Sequence, residues 1–289
     1  MNALPGWQAA KALCAWLFKM LRRHRPALAG FVLLALMAGL AFLGPVFTPY
    51  TAADVSGPYL DPGGKHWLGT DSQGYDLFTR LIYGARTTLL IALAATVLSM
   101  ALGSLIGAVA GFCGRWVDTL LMRLVDFAMS FPAFLLAVVI VAILGKNLDN
   151  LILAVGLVGA PVFARQVRAE ILRVMSMEYM AAASALGLPA SRALFAHALP
   201  NSLNPIIVLS TLGMGGAILE VAALNFLGLG GDPYQVPEWG LILKQGWDEA
   251  DKGTVQVAAA GLAIFVTVLG FNLFGDGLRD ELDPRAKRR

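Results

Sequence analysis

Six apolar stretches, at roughly 27–48, 87–112, 119–145, 150–167, 203–229 and 255–275, are long enough to cross a bilayer. Inside lipid no water satisfies backbone N–H and C=O groups, so these stretches require helices throughout. The expected fold is all-α: a polytopic membrane protein with six transmembrane helices. Composition agrees, since 57% of the 289 residues are hydrophobic and 14% are charged. A soluble domain carries about 25% charged residues.

The first stretch starts late, after the basic run Lys19, Arg22, Arg23, His24 and Arg25, and extends to about Phe47. It ends without an A-x-A site, so it reads as a signal anchor rather than a cleaved leader. With both termini in the cytoplasm, the inside segments hold 16 Lys and Arg and the outside segments 6. The inverted topology would reverse those numbers, so the positive-inside rule places both ends in the cytoplasm. The expected organisation is a cytoplasmic amphipathic segment 1–26, a first span 27–48, an external segment 49–86, a five-helix core 87–276 and a cytoplasmic tail 277–289. The loop 165–200 lies inside that core. The external segment ends in an amphipathic stretch from Tyr75 to Arg86. A second external segment, 230–253, is acidic, with Asp232, Glu238, Asp248, Glu249 and Asp251.

Polar residues within the apolar stretches narrow the chemistry. Pro132 kinks the third span. Gly103, Gly107 and Gly111 form a ridge on the second that lets another helix approach closely. Asp126 and Glu220 are costly in lipid and must face protein or water. Asp126 can pair with Arg123 at i,i+3; a place on a translocation path is the other reading. Glu220 has no cation near it in its own helix, so an interhelical hydrogen bond and a path or gate role stay equally open. There is no phosphate loop G-x-x-x-x-G-K-[ST], so this chain does not bind ATP by that route. His24, His66 and His197 are far apart, and no Ser/His/Asp arrangement occurs. No catalytic residue, metal site or cofactor is expected in the chain. A membrane enzyme would need more convergent polar groups at membrane depth. Cys14 and Cys113 read as reduced structural thiols on the cytoplasmic side. The net charge of +3 requires no nucleic acid.

Between the fourth and fifth stretches lies Glu178-Tyr179-Met180-Ala181-Ala182-Ala183-Ser184-Ala185-Leu186-Gly187, followed by Leu199-Pro200-Asn201. A small-residue helix with a fixed glycine, in an arginine-bearing cytoplasmic loop, has the form of a docking element. A secondary carrier would not need one. His197 in the same loop reads as a packing or interface residue.

This loop resembles the EAA loop of ABC-importer permeases. Other stretches are similar to the dipeptide, oligopeptide and nickel branch of that family. They are His66-Trp67-Leu68-Gly69-Thr70-Asp71 with Asp76 and Arg80, and Arg123-Leu124-Val125-Asp126 with Phe131-Pro132. Asn225-Phe226-Leu227-Gly228, Pro237-Glu238-Trp239-Gly240 and Gly275-Asp276-Gly277 with Leu282-Asp283-Pro284 complete the set. Two positions depart: Ala181 stands where the pattern has an acid, and Tyr75 where it has arginine.

The resemblance implies the C-type permease of a heterodimeric pair, with the type I importer fold, in a bacterial inner membrane. Its homologous permease completes the pore. Two ATPase subunits bind ATP and magnesium, an extracytoplasmic binding protein delivers the substrate, and lipid surrounds the spans. It implies a coupling helix over 177–186 ended by Gly187, with Glu178, Ala181, Ala182, Ala183, Gly187, Leu199 and Pro200 as coupling positions. Peptide and nickel, or another metal chelate, both remain open as substrate.

Overall fold

The computed structural model describes residues 6–282 apart from 188, 190, 191, 193, 233 and 250, and leaves out the side chains of 6–10, 12–14, 183 and 184. The tail 283–289, with the Asp283-Pro284 end of the signature, lies outside the described residues, as does the Cys14 side chain. The helices in order are α1 Gly6–Arg23, α2 Arg25–Phe47, α3 Leu77–Cys113, α4 Arg115–Met129, α5 Ala133–Leu144, α6 Leu148–Met175 and α7 Glu178–Ala185. One π-helical turn, Leu194–Ala198, leads into α8 Leu199–Phe226, α9 Trp239–Asp248 and α10 Thr254–Leu282. Among the described residues five helical segments are long and apolar enough to cross a membrane, and a bent pair makes a sixth.

That bent pair is α4 and α5, which meet at 91°. The single kinked span expected over 119–145 is therefore two helices. Pro132 has no N–H to continue the ladder and disfavours helical backbone at the residue before it. Ser130 closes α4 by donating from Oγ to the Phe127 carbonyl at 2.6 Å. At 12 residues α5 is about 18 Å long, too short to span alone.

The external boundary expected at 86/87 falls inside one helix. The amphipathic stretch and the second span together form α3, 37 residues and about 55 Å, well over the hydrocarbon thickness. Likewise α6 passes the end of its apolar stretch, because its later Arg and Glu residues are helix formers with nearby partners, such as Arg173 to Glu170 at 2.6 Å.

Helix α3 packs most closely on α6. A Cβ on Gly103 would lie 2.3 Å from the Ala160 carbonyl oxygen, and one on Gly107 2.4 Å from that of Ala164. The glycine ridge is thus used within the chain, where it lets two backbones touch. Ser99 adds a hydrogen bond from Oγ to the Gly156 carbonyl at 2.9 Å. The main core joins α3, α5, α6, α8, α9 and α10 through residues such as Ile91, Val141, Val155, Ile218, Ile242 and Ile264. At the other end, Met20 and Leu21 of α1 pack with Ala27 and Leu278, holding the amphipathic N-terminal helix against α2 and α10. His24 and Arg23 approach Glu281 there, at 3.6 and 4.0 Å.

The segment between α2 and α3 is built on buried polar pairs. Asp76 caps α3 by accepting from the Thr79 N–H at 2.8 Å and meets His66 Nδ1 at 2.9 Å. Arg80 donates to Asp71 at 2.8 Å, and both are buried. Tyr75 takes a packing role: its ring lies 5.0 Å from the Arg80 guanidinium and 6.1 Å from Tyr234.

Candidate functional site: the coupling loop and the polar residues of the spans

The loop between α6 and α8 folds into a short helix anchored by one buried side chain, Met180, among the described residues. The Ser176 hydroxyl donates to the Arg173 carbonyl at 2.9 Å, and the Met177 N–H reaches the Val174 carbonyl at 3.1 Å, turning the chain out of α6. Met180 then points down into a cluster of Val167, Ile171 and Val174 from α6, Leu194 and Ala198 from the π turn, Ala108 from α3 and Ile206 from α8. With Met180 only 1% exposed, α7 is seated on the ends of three helices. Its other side is open: Glu178, Ala181 and Ala182 are exposed, as are Tyr179 and Leu186, the latter 89% exposed. Ala183 lies in α7, but its side chain is outside the described residues. Gly187 follows with φ +84°, the left-handed conformation that ends helices and that glycine adopts without strain.

The π turn comes just before Leu199 and Pro200. Proline brings no N–H, and the wider turn lies where a regular ladder would miss that donor. Phe195 on this turn is 68% exposed, and the His197 ring stands edge-on to Tyr179 at 6.4 Å. His197 thus packs the turn against α7. Leu199 is half-buried against the Met180 cluster and Pro200 is exposed. The structure therefore brings α7 and Leu199 to one apolar cluster, beside the exposed Phe195.

Asp126 does not pair with Arg123. It accepts from Arg165 of α6 at 2.6 Å, and both side chains are about half exposed. The break after α4 swings that helix beside α6, so the nearer cation comes from another helix. Asp118 makes the companion contact, a two-pronged pair with Arg168 whose second bond is 2.6 Å. Sequence spacing cannot show such cross-helix pairs. Glu220 has a different setting. It is half-buried within α8 and meets no hydrogen-bond or ion-pair partner among the described residues.

Residues 103–288 match the family described as the binding-protein-dependent transport system inner membrane component. Residues 15–62 match the N-terminal transmembrane domain of oligopeptide transport permease C. The chain belongs to this family of ABC-importer permeases. It is 41% identical to the dipeptide transport system permease protein DppC of Alkalihalophilus pseudofirmus, over 99% of this chain and 95% of the relative. It is 40% identical to the di/tripeptide transport system permease protein DppC of Pseudomonas aeruginosa, over 91% and 89%. It is also similar to the glutathione transport system permease protein GsiD of Pectobacterium atrosepticum, at 38% identity over 93% and 90%. A permease of this family is not itself an ATPase; it works with ATPase subunits and a binding protein.

The permease has one polar centre that sequence reading misplaced. Glu238, counted in an acidic external loop, is fully buried. It caps α9 by accepting the Gly240 and Leu241 N–H groups at 2.7 and 3.1 Å. Thr88 of α3 donates to its other oxygen at 2.8 Å, and Asn225 of α8 donates at 2.6 Å. The Trp239 indole N–H completes the junction, reaching the Leu81 carbonyl at 2.9 Å. Three helices meet at one carboxylate. The sequence carried little signal for this cap, because the usual N-cap residues are Ser, Thr, Asp and Asn rather than Glu. Burial pushes the Glu238 carboxyl above the ordinary glutamate range, against the pull of its four hydrogen bonds.

Proposed function

We propose that this permease forms half of a translocation pore for di- or oligopeptides in a bacterial inner membrane, with both termini in the cytoplasm. A homologous permease supplies the other half, and an extracytoplasmic binding protein delivers the peptide. Two ATPase subunits, which carry the ATP and magnesium, couple to the permease pair through α7 and its counterpart in the homologous permease. The single observation that carries this reading is the seating of α7. Met180 fixes the helix to the ends of α3, α6 and α8, while Tyr179, Ala181, Ala182 and Leu186 are left for a partner. A push on α7 then moves three spans together, as alternating access requires: ATP closure biases a two-state bundle through contacts made in one state. Glu178, Gly187 and Pro200 are exposed as well and belong to the same surface, and the sequence assigns Ala183 to it by position. Peptide is favoured over nickel by the names of the relatives, which are carriers of dipeptides, tripeptides and glutathione.

The test is reconstitution. Proteoliposomes holding this permease, its partner permease and the ATPases should hydrolyse ATP and accumulate a radiolabelled dipeptide when the loaded binding protein is added. The isolated chain should hydrolyse none. ATP turnover by the chain alone, or nickel uptake in place of peptide, would overturn the reading.

A further inference from the structure

Glu220 presents a problem that the chain does not solve by itself. It lies in the apolar segment Leu194–Phe226, six residues and about 9 Å from the end of α8. A carboxylate at such depth needs a partner or water. None comes from the described residues of this chain. Next to Glu220 the surface of α8 is also open. Gly216, one turn earlier, is exposed, and a Cβ there would meet nothing within 4 Å. Leu227, two turns on from Glu220, is about half exposed, as is the adjacent Leu219. The face is built of small residues around one acid, with Gly213, Gly216 and Ala223 at helical spacing from Glu220. Small residues leave a hollow; the acid gives that hollow a charge. Lipid satisfies neither.

We propose that Glu220 is a counter-ion in the translocation path that takes a cationic group of the passing substrate, the protonated amino terminus of a peptide. This inference rests on the reading of the chain as a peptide permease. Every free peptide carries one such ammonium, so a single carboxylate can serve substrates of varied side chains. An ammonium that has left water is stabilised by a carboxylate in a narrow, low-dielectric passage.

The experiment uses the reconstituted full complex with binding protein, comparing wild type, Glu220→Gln and Glu220→Asp. Complex yield and melting temperature should match wild type in both variants. The maximal uptake rate should fall about tenfold in Glu220→Gln, equivalent to about 1.4 kcal/mol of barrier. Glu220→Asp should keep it within about threefold. The half-saturating peptide concentration should not move, because capture occurs on the binding protein. Ethylammonium chloride should slow wild-type uptake more than potassium chloride does, and this difference should vanish in Glu220→Gln. Wild-type uptake by Glu220→Gln overturns the proposal. So does a parallel loss of complex yield, which would make Glu220 the partner of a cation on the second permease. Failure of the wild-type complex to take up any peptide would instead sink the underlying peptide reading.

Discussion

At the scale of single residues, Glu238 shows what a buried acid does in this permease. Its two oxygens accept four hydrogen bonds from α3, α8 and the start of α9. Deleting the side chain leaves four buried donors without an acceptor, and each unmet group costs about 1–3 kcal/mol. Glu238→Ala should therefore lose about 3 kcal/mol or more. Glu238→Gln keeps the shape: its oxygen can replace the one that takes three donors, and its amide can face the Thr88 hydroxyl. That variant should stay within about 1 kcal/mol of wild type. The pH dependence separates them further. The folded-state pKa of Glu238 is raised. The stability it contributes is therefore complete at low pH and is lost as pH rises through the raised value. Thermal unfolding of the purified complex at about pH 5 and about pH 8 should show this slope in wild type and lose it in Glu238→Gln. An unchanged slope in that variant would place the titration elsewhere.

Elements were legible to different degrees. Hydropathy placed the spans because lipid forces helix on any stretch that is long and apolar enough, and α2 begins at Arg25, close to the expected 27. It missed where α3 and α6 continue beyond the bilayer, since polar helix formers carry no hydropathy signal. Pro132 marked the site of a bend, but a proline sets a position and not an angle; 91° comes from how α4 lies beside α6. The Asp118–Arg168 and Asp126–Arg165 pairs follow from that placement, so the local i,i+3 rule chose the wrong partner for Asp126. The short helix α7 was legible by the glycine that ends it. With φ +84° and open space around the missing Cβ, the constraint at Gly187 is backbone strain alone. A β-branched residue there costs on the order of 1–2 kcal/mol, whereas Asn tolerates the conformation. Gly187→Val should insert normally yet lower ATPase pull-down and peptide uptake several-fold, and Gly187→Asn should retain most of both. Equal behaviour of the two would show that α7 does not need this terminator.

At the scale of the whole molecule, orientation ties the sites together. In the proposed orientation, with both ends in the cytoplasm, α3 would run inward and end at Cys113, placing α7 and Cys113 together on the cytoplasmic face. Glu238 and the Asp71–Arg80 pair then stand on the far side. The packing agrees with that division, because Ala108, one turn before the end of α3, lies in the cluster that seats Met180. Cys113 is a free, exposed thiol, which makes the topology directly measurable. In a Cys14→Ser background, a membrane-impermeant maleimide should label Cys113 strongly in inside-out vesicles. It should label right-side-out vesicles at less than about a tenth of that level, because a charged reagent does not cross the hydrocarbon core. Adding the ATPase subunits should leave Cys113 on the same face and slow its labelling if they cover the region around α7. Preferential labelling of right-side-out vesicles would invert the molecule, moving α7 away from ATP and removing the basis for coupling through it.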